Sequence, residues 1–501
     1  MTSAGIGKTS IWNKAYLAGQ LEKAVLNPVR AFRSNYLPLL MIYFAYGALG
    51  ITAVAESFWI KKELTLGASE LASLGVWLAL PWTIKMVFGE LVDTVTIFGS
   101  QRRAYVYIGA GLVAAGLLLL AAAAGGRLPG LTAETAYRLA SLLTVIGVVL
   151  QDVVADAMTT EVVARTNEDG SPRDKADIDR DLGMVQVLGR LALSLGSFLV
   201  AGIAGVLASI LPYSTVFLIA LVIPVISASG AALVEISPVE RRPIDWRILG
   251  GGIAFGALVV VLALGNVPYN QEIIFVVSTA VVIAMLRRVI HDLDAETKQK
   301  IFFAALVIFV YRAMPSVGQG YTWFTIDVLG FDETFQGTLA QIATGLALLG
   351  TWLFSDAITR QPVARVLLWL TIATSLLALP SFGLTLGLHA WTERNLGFGA
   401  PTIAILDAAA TSPFAQLSMI PLLTLCAVYA PAGRRASWFA LMASLMNIAL
   451  VAGGLMTKYL NQILVVSRGD YANLPTLLGV VLLIGFLAPV AAILLVGRRL
   501  R

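Results

Sequence analysis

The stretch RLASLLTVIGVVLQDVVADAMTTEV, residues 138–162, is apolar over its first half and carries two aspartates in its second half. It is long enough to cross a bilayer, because a spanning helix needs about 20 apolar residues. Asp152 and Asp156 stand four positions apart, so a helix places both carboxylates on one face, with Gln151 beside them. The stretch predicts a membrane-spanning helix with ionisable groups in its interior.

The whole chain has the composition of a membrane protein. It is 58% hydrophobic and 13% charged, with a mean hydropathy of +0.82, whereas soluble domains average about 25% charged residues. The apolar runs are too long for barrel strands, so the sequence predicts an all-α polytopic protein. Fourteen spans are predicted, near residues 36–59, 70–92, 104–124, 138–162, 183–208, 213–235, 249–266, 272–290, 301–324, 336–356, 364–388, 402–429, 436–460 and 474–497.

Basic residues predict the orientation, because loops rich in Lys and Arg stay in the cytoplasm. With an even number of spans, most of the 35 basic residues fall on one side if both termini are cytoplasmic. The predicted location is the inner (plasma) membrane. The net charge of +5 then reflects membrane topology and gives no sign of nucleic-acid binding.

An internal repeat predicts two halves. LGASE at 66–70 and LGFDE at 329–333 are 263 residues apart, and the same offset carries Asp93 onto Asp356 and Arg102 onto Arg365. Two parallel six-helix units are the architecture of major facilitator transporters; duplicated helices in a membrane protein of another function are the alternative. The predicted units are a basic N-terminal segment 1–35, a bundle 36–235, a linker 236–300 with a hairpin 249–290, a bundle 301–497 and a tail 498–501.

The loop GELVDTVTIFGSQRRAY, residues 89–105, combines glycine, one acid and an arginine pair. We expect Asp93 to cap the next segment or to pair with the arginines, which would make the loop a gate that changes partners between conformations. A capped positive-inside loop is the simpler alternative. The predicted gating residues are Gly89, Asp93, Gly99, Arg102 and Arg103, with Asp356 and Arg365 in the second half.

This loop resembles the corresponding motif of folate–biopterin transporters in the major facilitator superfamily. The resemblance continues through residues 151–165, 311–337 and 421–447, so it covers most of both halves in order. It implies proton-linked movement of a pterin or folate by alternating access. Muropeptide permeases are also similar, and a non-transporting assembly or pigment-delivery factor is a third possibility. Lys85-Met86, Val92 and Thr96 depart from the usual motif.

Ionisable residues inside predicted spans are the candidate site, because such charges usually mark substrate or proton pathways. We expect Lys85 and Arg190 to partner Asp152, Asp156 and Glu56, and Arg312 to partner Asp407. Permanent salt bridges between helices are the alternative, favoured for Asp156, Glu90 and Glu161 near the helix ends. The full substrate and coupling set is Asp152, Asp156, Gln151, Lys85, Arg190, Arg312, Glu56, Asp407, Gln319 and Tyr321.

The stretch MPSVGQGYTWF, residues 314–324, predicts a flexible segment that lines the cavity. Tyr321 is a candidate for stacking on a flat ring, whereas Trp323 and Phe324 fit an aromatic belt at the membrane interface better. There is no ATP-binding G-x-x-x-x-G-K motif, and the two histidines have no companions at metal-ligand spacing. We therefore predict no enzyme and no cofactor or metal. The predicted partners are a small-molecule solute, protons and the lipid bilayer, and we expect a monomer.

Overall fold

The computed structural model describes residues 32–97, 99–100, 102–167, 169–234, 244–265, 267–359, 361–415, 417–428 and 435–496, with residues 19, 22 and 30. This part of the chain is helical and contains isolated β-bridges but no strand. Most of the predicted segment 1–35 and the whole tail 498–501 lie outside the described residues.

A first group of helices covers the predicted N-terminal half. It consists of α1 Leu37–Ala48, α2 Ala53–Glu63, α3 Ala68–Thr83, α4 Lys85–Thr94, α5 Arg103–Ala124, α6 Ala133–Glu161, α7 Lys175–Ile210, α8 Tyr213–Ile219 and α9 Val222–Ala232. Two further helices, α10 Trp246–Leu264 and α11 Asn270–Val289, form the predicted hairpin.

The remaining helices cover the predicted C-terminal half. They are α12 Ala295–Arg312, α13 Gln319–Asp327, α14 Glu333–Thr359, α15 Val363–Leu377, α16 Leu379–Thr385, α17 Leu388–Leu396, α18 Ala400–Ala415, α19 Met419–Val428, α20 Arg435–Ile463 and α21 Leu474–Val496. By length and composition, 11 helical segments of the described chain are candidate membrane spans. Helices also lie at the other three predicted spans, on α11, on α12 with α13, and on α14.

Several predicted spans are interrupted rather than continuous. A 3-10 turn, Leu49–Thr52, separates α1 from α2, and residues 313–318 separate α12 from α13. Helix α3 ends close after Pro81, and α4 resumes at Lys85. Proline removes one backbone donor and clashes with the preceding turn, which accounts for a break near Pro81 and near Pro315. These breaks place polar backbone and side chains inside the predicted spans.

The two halves pack most closely where α7 meets α14. A Cβ atom added to Gly205 would lie 2.5 Å from the Glu333 carbonyl oxygen and 2.8 Å from the Gly337 Cα. In addition, the Gly202 amide donates to Gln341 Oε1 at 2.6 Å. Only glycine permits this backbone approach, so the pair Gly205 and Gly337 fixes how near the halves can come.

We call the membrane face at which α2, α7, α13 and α20 end the closed face. Helices α3 and α20 also hold the halves together, through Gly454 against Val76 and through Asn447 Nδ2, which donates to the Trp82 carbonyl oxygen at 2.9 Å. Helices α4 and α6 end at the opposite face.

The hairpin contacts both halves. Gly252 of α10 packs on Val87 of α4, while Gln271 of α11 donates to the Ser73 carbonyl oxygen of α3 at 2.8 Å. On the other side, Lys458 of α20 pairs with Glu272 at 2.8 Å. The outward side chains of α10 are largely exposed and apolar, as expected for a surface that faces lipid.

Candidate functional site

Lys85 lies between the two predicted aspartates. Its Nζ donates to Asp152 Oδ2 at 2.5 Å and to Asp156 Oδ2 at 2.5 Å. The side chains are 29% exposed for Lys85, 12% for Asp152 and 47% for Asp156. The break after α3 brings Lys85 to this position, and the i, i+4 spacing on α6 presents both carboxylates to it. One cation therefore serves two acids.

Helix α1 supplies a further donor to this cluster. The Tyr43 hydroxyl donates to Asp156 Oδ1 at 2.7 Å. Gln151, by contrast, is buried on another side of α6, where its Nε2 donates to the Val106 carbonyl oxygen at 3.2 Å and to Ser227 Oγ at 3.1 Å. The structure thus keeps Gln151 in helix packing and does not bring it to the carboxylates.

Two predicted pairings in the first half are wrong. Arg190 is exposed, and no carboxylate lies within ion-pair distance of it among the described residues. Glu56 accepts a hydrogen bond from the Tyr137 hydroxyl at 2.9 Å instead of pairing with Lys85 or Arg190. Sequence spacing within one helix does not fix which neighbouring helix supplies the partner.

The predicted pair of Arg312 and Asp407 does not form either. Arg312 Nη1 contacts Met419 Sδ at 3.6 Å, and its Nε is buried without a hydrogen-bond partner in the described part of the chain. Asp407 Oδ2 accepts from Ser381 Oγ at 2.7 Å, whereas Oδ1 is buried without a partner there. The second half therefore holds a cation and an acid that do not neutralise each other.

Gln319 and Tyr321 lie on α13, next to the break. Gln319 Oε1 is buried without a partner among the described residues, and the ring of Tyr321 lies 6.2 Å from that of Phe324. A cavity of about 200 Å³ lies within the same half. Its lining is Tyr311, Met314, Leu370, Thr371, Thr374, Phe414, Ser418, Gly485 and Pro489, so it flanks Arg312 in sequence but does not include it.

The predicted gating loop forms an ion-pair cluster at the face opposite the closed face. Arg102 Nη2 donates to Asp93 Oδ1 at 2.8 Å and to Glu161 Oε1 at 2.6 Å, so the pairing of Asp93 with the arginines is confirmed. Arg103 stacks over Tyr107 instead. This cluster ties the loop to the end of α6.

The other predicted gating residues are Gly89, Gly99, Asp356 and Arg365. Gly99 has a φ of +75°, a conformation that favours glycine, while a Cβ on Gly89 would meet open space. Arg365 is exposed at the start of α15. The side chain of Asp356 lies outside the described residues, so its predicted correspondence with Asp93 stays a prediction.

Sequence reasoning missed a cluster that joins the halves at the closed face. We name Lys61, Lys62, Tyr213, Asp327, Glu333, Arg468 and Tyr471 the closed-face cluster. Lys61 pairs with Asp327, to which the Tyr471 hydroxyl also donates, and Lys62 approaches Glu333 at 3.4 Å. Arg468 donates to the carbonyl oxygens of Ile60, Lys61 and Leu66 at 3.0 to 3.1 Å. The sequence pattern that could have revealed this cluster is the presence of basic and acidic residues beside LGASE at 66–70 and LGFDE at 329–333.

The expected aromatic belt at Trp323 and Phe324 is wrong. Trp323 is 0% exposed, and the Arg468 guanidinium stacks on its ring at 4.1 Å. Phe324 is buried as well and meets Tyr471 edge to face. Both rings lie under the closed-face cluster because the halves close over them.

The fold is that of known membrane transporters. A POT family transporter in complex with 5-aminolevulinic acid superposes with a TM-score of 0.63 at 14% identity, covering 93% of this chain and 96% of that one. A structure described under proton dependent oligopeptide transporters gives 0.59 at 14% identity over 93% and 98%. At such identities the likeness shows the fold alone, an all-α polytopic fold of the major facilitator type.

Sequence relatives are closer. A folate-biopterin transporter of Synechocystis sp. is 28% identical over 446 residues, which cover 88% of this chain and 77% of the relative. The probable folate-biopterin transporter 4 of Arabidopsis thaliana is 24% identical over 477 residues, covering 89% and 92%. The BT1 family profile matches residues 47–500. This chain is therefore a multi-pass membrane transporter, not an enzyme, and it belongs to the BT1 family.

Proposed function

We propose that this protein is a secondary active transporter that moves a folate- or pterin-like organic anion across the inner membrane by alternating access, coupled to protons. The observation that carries the proposal is the sharing of Lys85 between Asp152 and Asp156. A membrane interior disfavours isolated charge, and this cluster has one more acid than cations in direct contact. Its charge balances when one carboxyl binds a proton.

Proton binding changes what Lys85 can do. With both aspartates ionised, the ammonium is held by two carboxylates at 2.5 Å. Two like charges on one helix face favour uptake of a proton by one of the aspartates. Protonation of that aspartate removes part of the attraction that holds Lys85. Lys85 then becomes available to an anionic solute. We infer that the exposed parts of Lys85 and Asp156 face water, because lipid would not solvate them.

Alternating access is supported by the closed-face cluster. We infer fourteen spans arranged as two six-helix bundles, 36–235 and 301–497, with the hairpin 249–290 inserted in the linker 236–300, and both termini in the cytoplasm. The closed face is then extracytoplasmic, and the structure corresponds to a carrier that is shut to the outside. Release of the closed-face cluster and closure around Arg102 would give the other state.

The substrate class comes from the relatives and from the charges. The names of the relatives mention folate and biopterin, and the site offers cations that suit carboxylates. Protein in liposomes should accumulate folate or biopterin when the pH outside is lowered, and a protonophore should abolish accumulation but leave exchange. If folded protein accumulates neither folate nor biopterin under a pH gradient, the proposal is refuted.

A further inference from the structure

The first span of each half is interrupted at the same repeat position. The 3-10 turn Leu49–Thr52 breaks the first span of the first half, and residues 313–318 break that of the second. The repeat offset carries residues 50–52 onto 313–315. Interrupted spans in corresponding positions of two repeats are a pointer to the substrate site of a carrier, because unwound backbone is tolerated where it lines a cavity.

The second break is held open by neighbouring side chains. The Ser316 amide donates to Thr457 Oγ1 at 2.9 Å, and Asn461 Nδ2 donates to the Val317 carbonyl oxygen at 3.2 Å. Helix α20 therefore satisfies part of the backbone that the helix break frees. The break is a built feature of the fold, and Arg312 is the last residue of the helix before it.

Arg312 is half-buried, unlike the exposed Arg190, and its environment differs from that of Lys85 and Lys458. Lys85 is neutralised by two aspartates, and Lys458 by Glu272. Arg312 has no carboxylate within 4 Å in the described part of the chain; its Nη1 contacts only the Met419 thioether and its Nε is buried without a partner. A guanidinium cannot shed its charge by losing a proton, so it requires an anion that the described chain does not supply.

We propose that Arg312 binds the carboxylate of the transported solute at the break between α12 and α13. The guanidinium fork matches a carboxylate with two parallel hydrogen bonds, and such charge-assisted bonds are about twice as strong as neutral ones. The inference rests on the proposed function and makes it more specific. The Lys85 cluster handles the proton, and Arg312 handles the carboxylate.

The test compares three probes that share the pterin ring. Folate carries two carboxylates, pteroate one and biopterin none. In liposomes, Arg312→Gln should raise the KM for folate and pteroate about 10- to 100-fold, the range expected for loss of a charged hydrogen-bonded pair, while biopterin uptake changes less than threefold. Arg394→Gln, which removes an exposed arginine from α17, is the matched control and should change none of them.

Each other outcome is decisive. Equal loss of folate and biopterin uptake in folded Arg312→Gln, or no loss at all, overturns the role of Arg312. Absence of uptake of all three probes by the wild-type protein contradicts the proposed function instead. If Arg312→Gln does not fold, Arg312→Lys takes its place: it keeps the charge but loses the fork, and an unchanged folate KM in that variant overturns the inference.

Discussion

Replacing Lys85 by Gln gives the sharpest test of proton coupling. The substitution removes the one ammonium that contacts both Asp152 and Asp156 at 2.5 Å. Leaving a buried charge without its partner costs about 3–5 kcal/mol. Because Lys85 is 29% exposed, water replaces part of the interaction, and we expect about 2 kcal/mol. The Tyr43 hydroxyl still serves Asp156, so the cost falls mainly on Asp152.

The Lys85→Gln variant avoids this cost by keeping a proton on Asp152. A bias of about 2 kcal/mol corresponds to a factor of about 30 in occupancy, enough to hold the proton through the whole cycle. In liposomes, Lys85→Gln should therefore lose at least about tenfold of uptake driven by a pH gradient, while exchange of labelled for unlabelled solute continues. The double variant Lys85→Gln with Asp152→Asn should behave like the single variant.

A matched control is available on the membrane surface. Lys300 forms an i, i+4 pair with Glu296, and exposed pairs of this kind contribute about 0.3–0.5 kcal/mol. Lys300→Gln should leave both uptake and exchange unchanged. If Lys85→Gln retains uptake that responds to a pH gradient as the wild type does, the coupling role of the cluster is refuted.

Three further substitutions test the gates. Asp327→Asn removes an ion pair at the closed face worth about 1 kcal/mol, so spin-label distances across that face should show about fivefold more of the open state. Hydrogen bonds from its partners outweigh burial and lower the pKa of Asp327. The ion pair is therefore lost only as pH falls below the ordinary carboxyl range, and the wild-type protein at pH 5.5 should stay closed. In Gly205→Val, the added Cβ would lie 2.5 Å from the Glu333 carbonyl oxygen of the other half, so uptake should fall at least tenfold. Gly111→Val, whose Cβ meets open space, should leave uptake unchanged. Arg102→Gln removes a guanidinium from two half-exposed carboxylates and should lower stability in detergent melting by about 1–2 kcal/mol, whereas Arg103→Gln should not.

Much of the fold was predictable because apolar run length determines spanning helices directly. Helices lie at every predicted span, while the division into two halves by the 263-residue repeat stays a prediction. The shared face of Asp152 and Asp156 was also predictable, because i, i+4 spacing is a property of one helix. The same holds for Asp93 and Arg102, which are close in sequence and meet in one loop.

Pairing between helices was predictable only in part: Lys85 meets Asp152 and Asp156 as expected, but other partners were assigned wrongly. Glu56 and Asp407 were assigned cations, yet each accepts a hydrogen bond from a neutral hydroxyl, of Tyr137 and Ser381 respectively. The rotation of each helix about its axis decides this, and an all-round apolar helix gives little signal for that rotation. The burial of Trp323 was missed for a related reason, since it depends on the other half closing over it.

The two halves differ in a way that a carrier requires. In the first half, Lys85 and two aspartates are in direct contact, which is where we propose that the proton binds. In the second half, Arg312 contacts the Met419 thioether and has no carboxylate within 4 Å among the described residues, so we propose that an arriving anion balances its charge. A loaded state with both a proton and an anion is close to neutral, whereas either ligand alone leaves a net charge in the membrane interior. Because isolated charge there is costly, the two proposed sites would favour movement of the proton and the anion together.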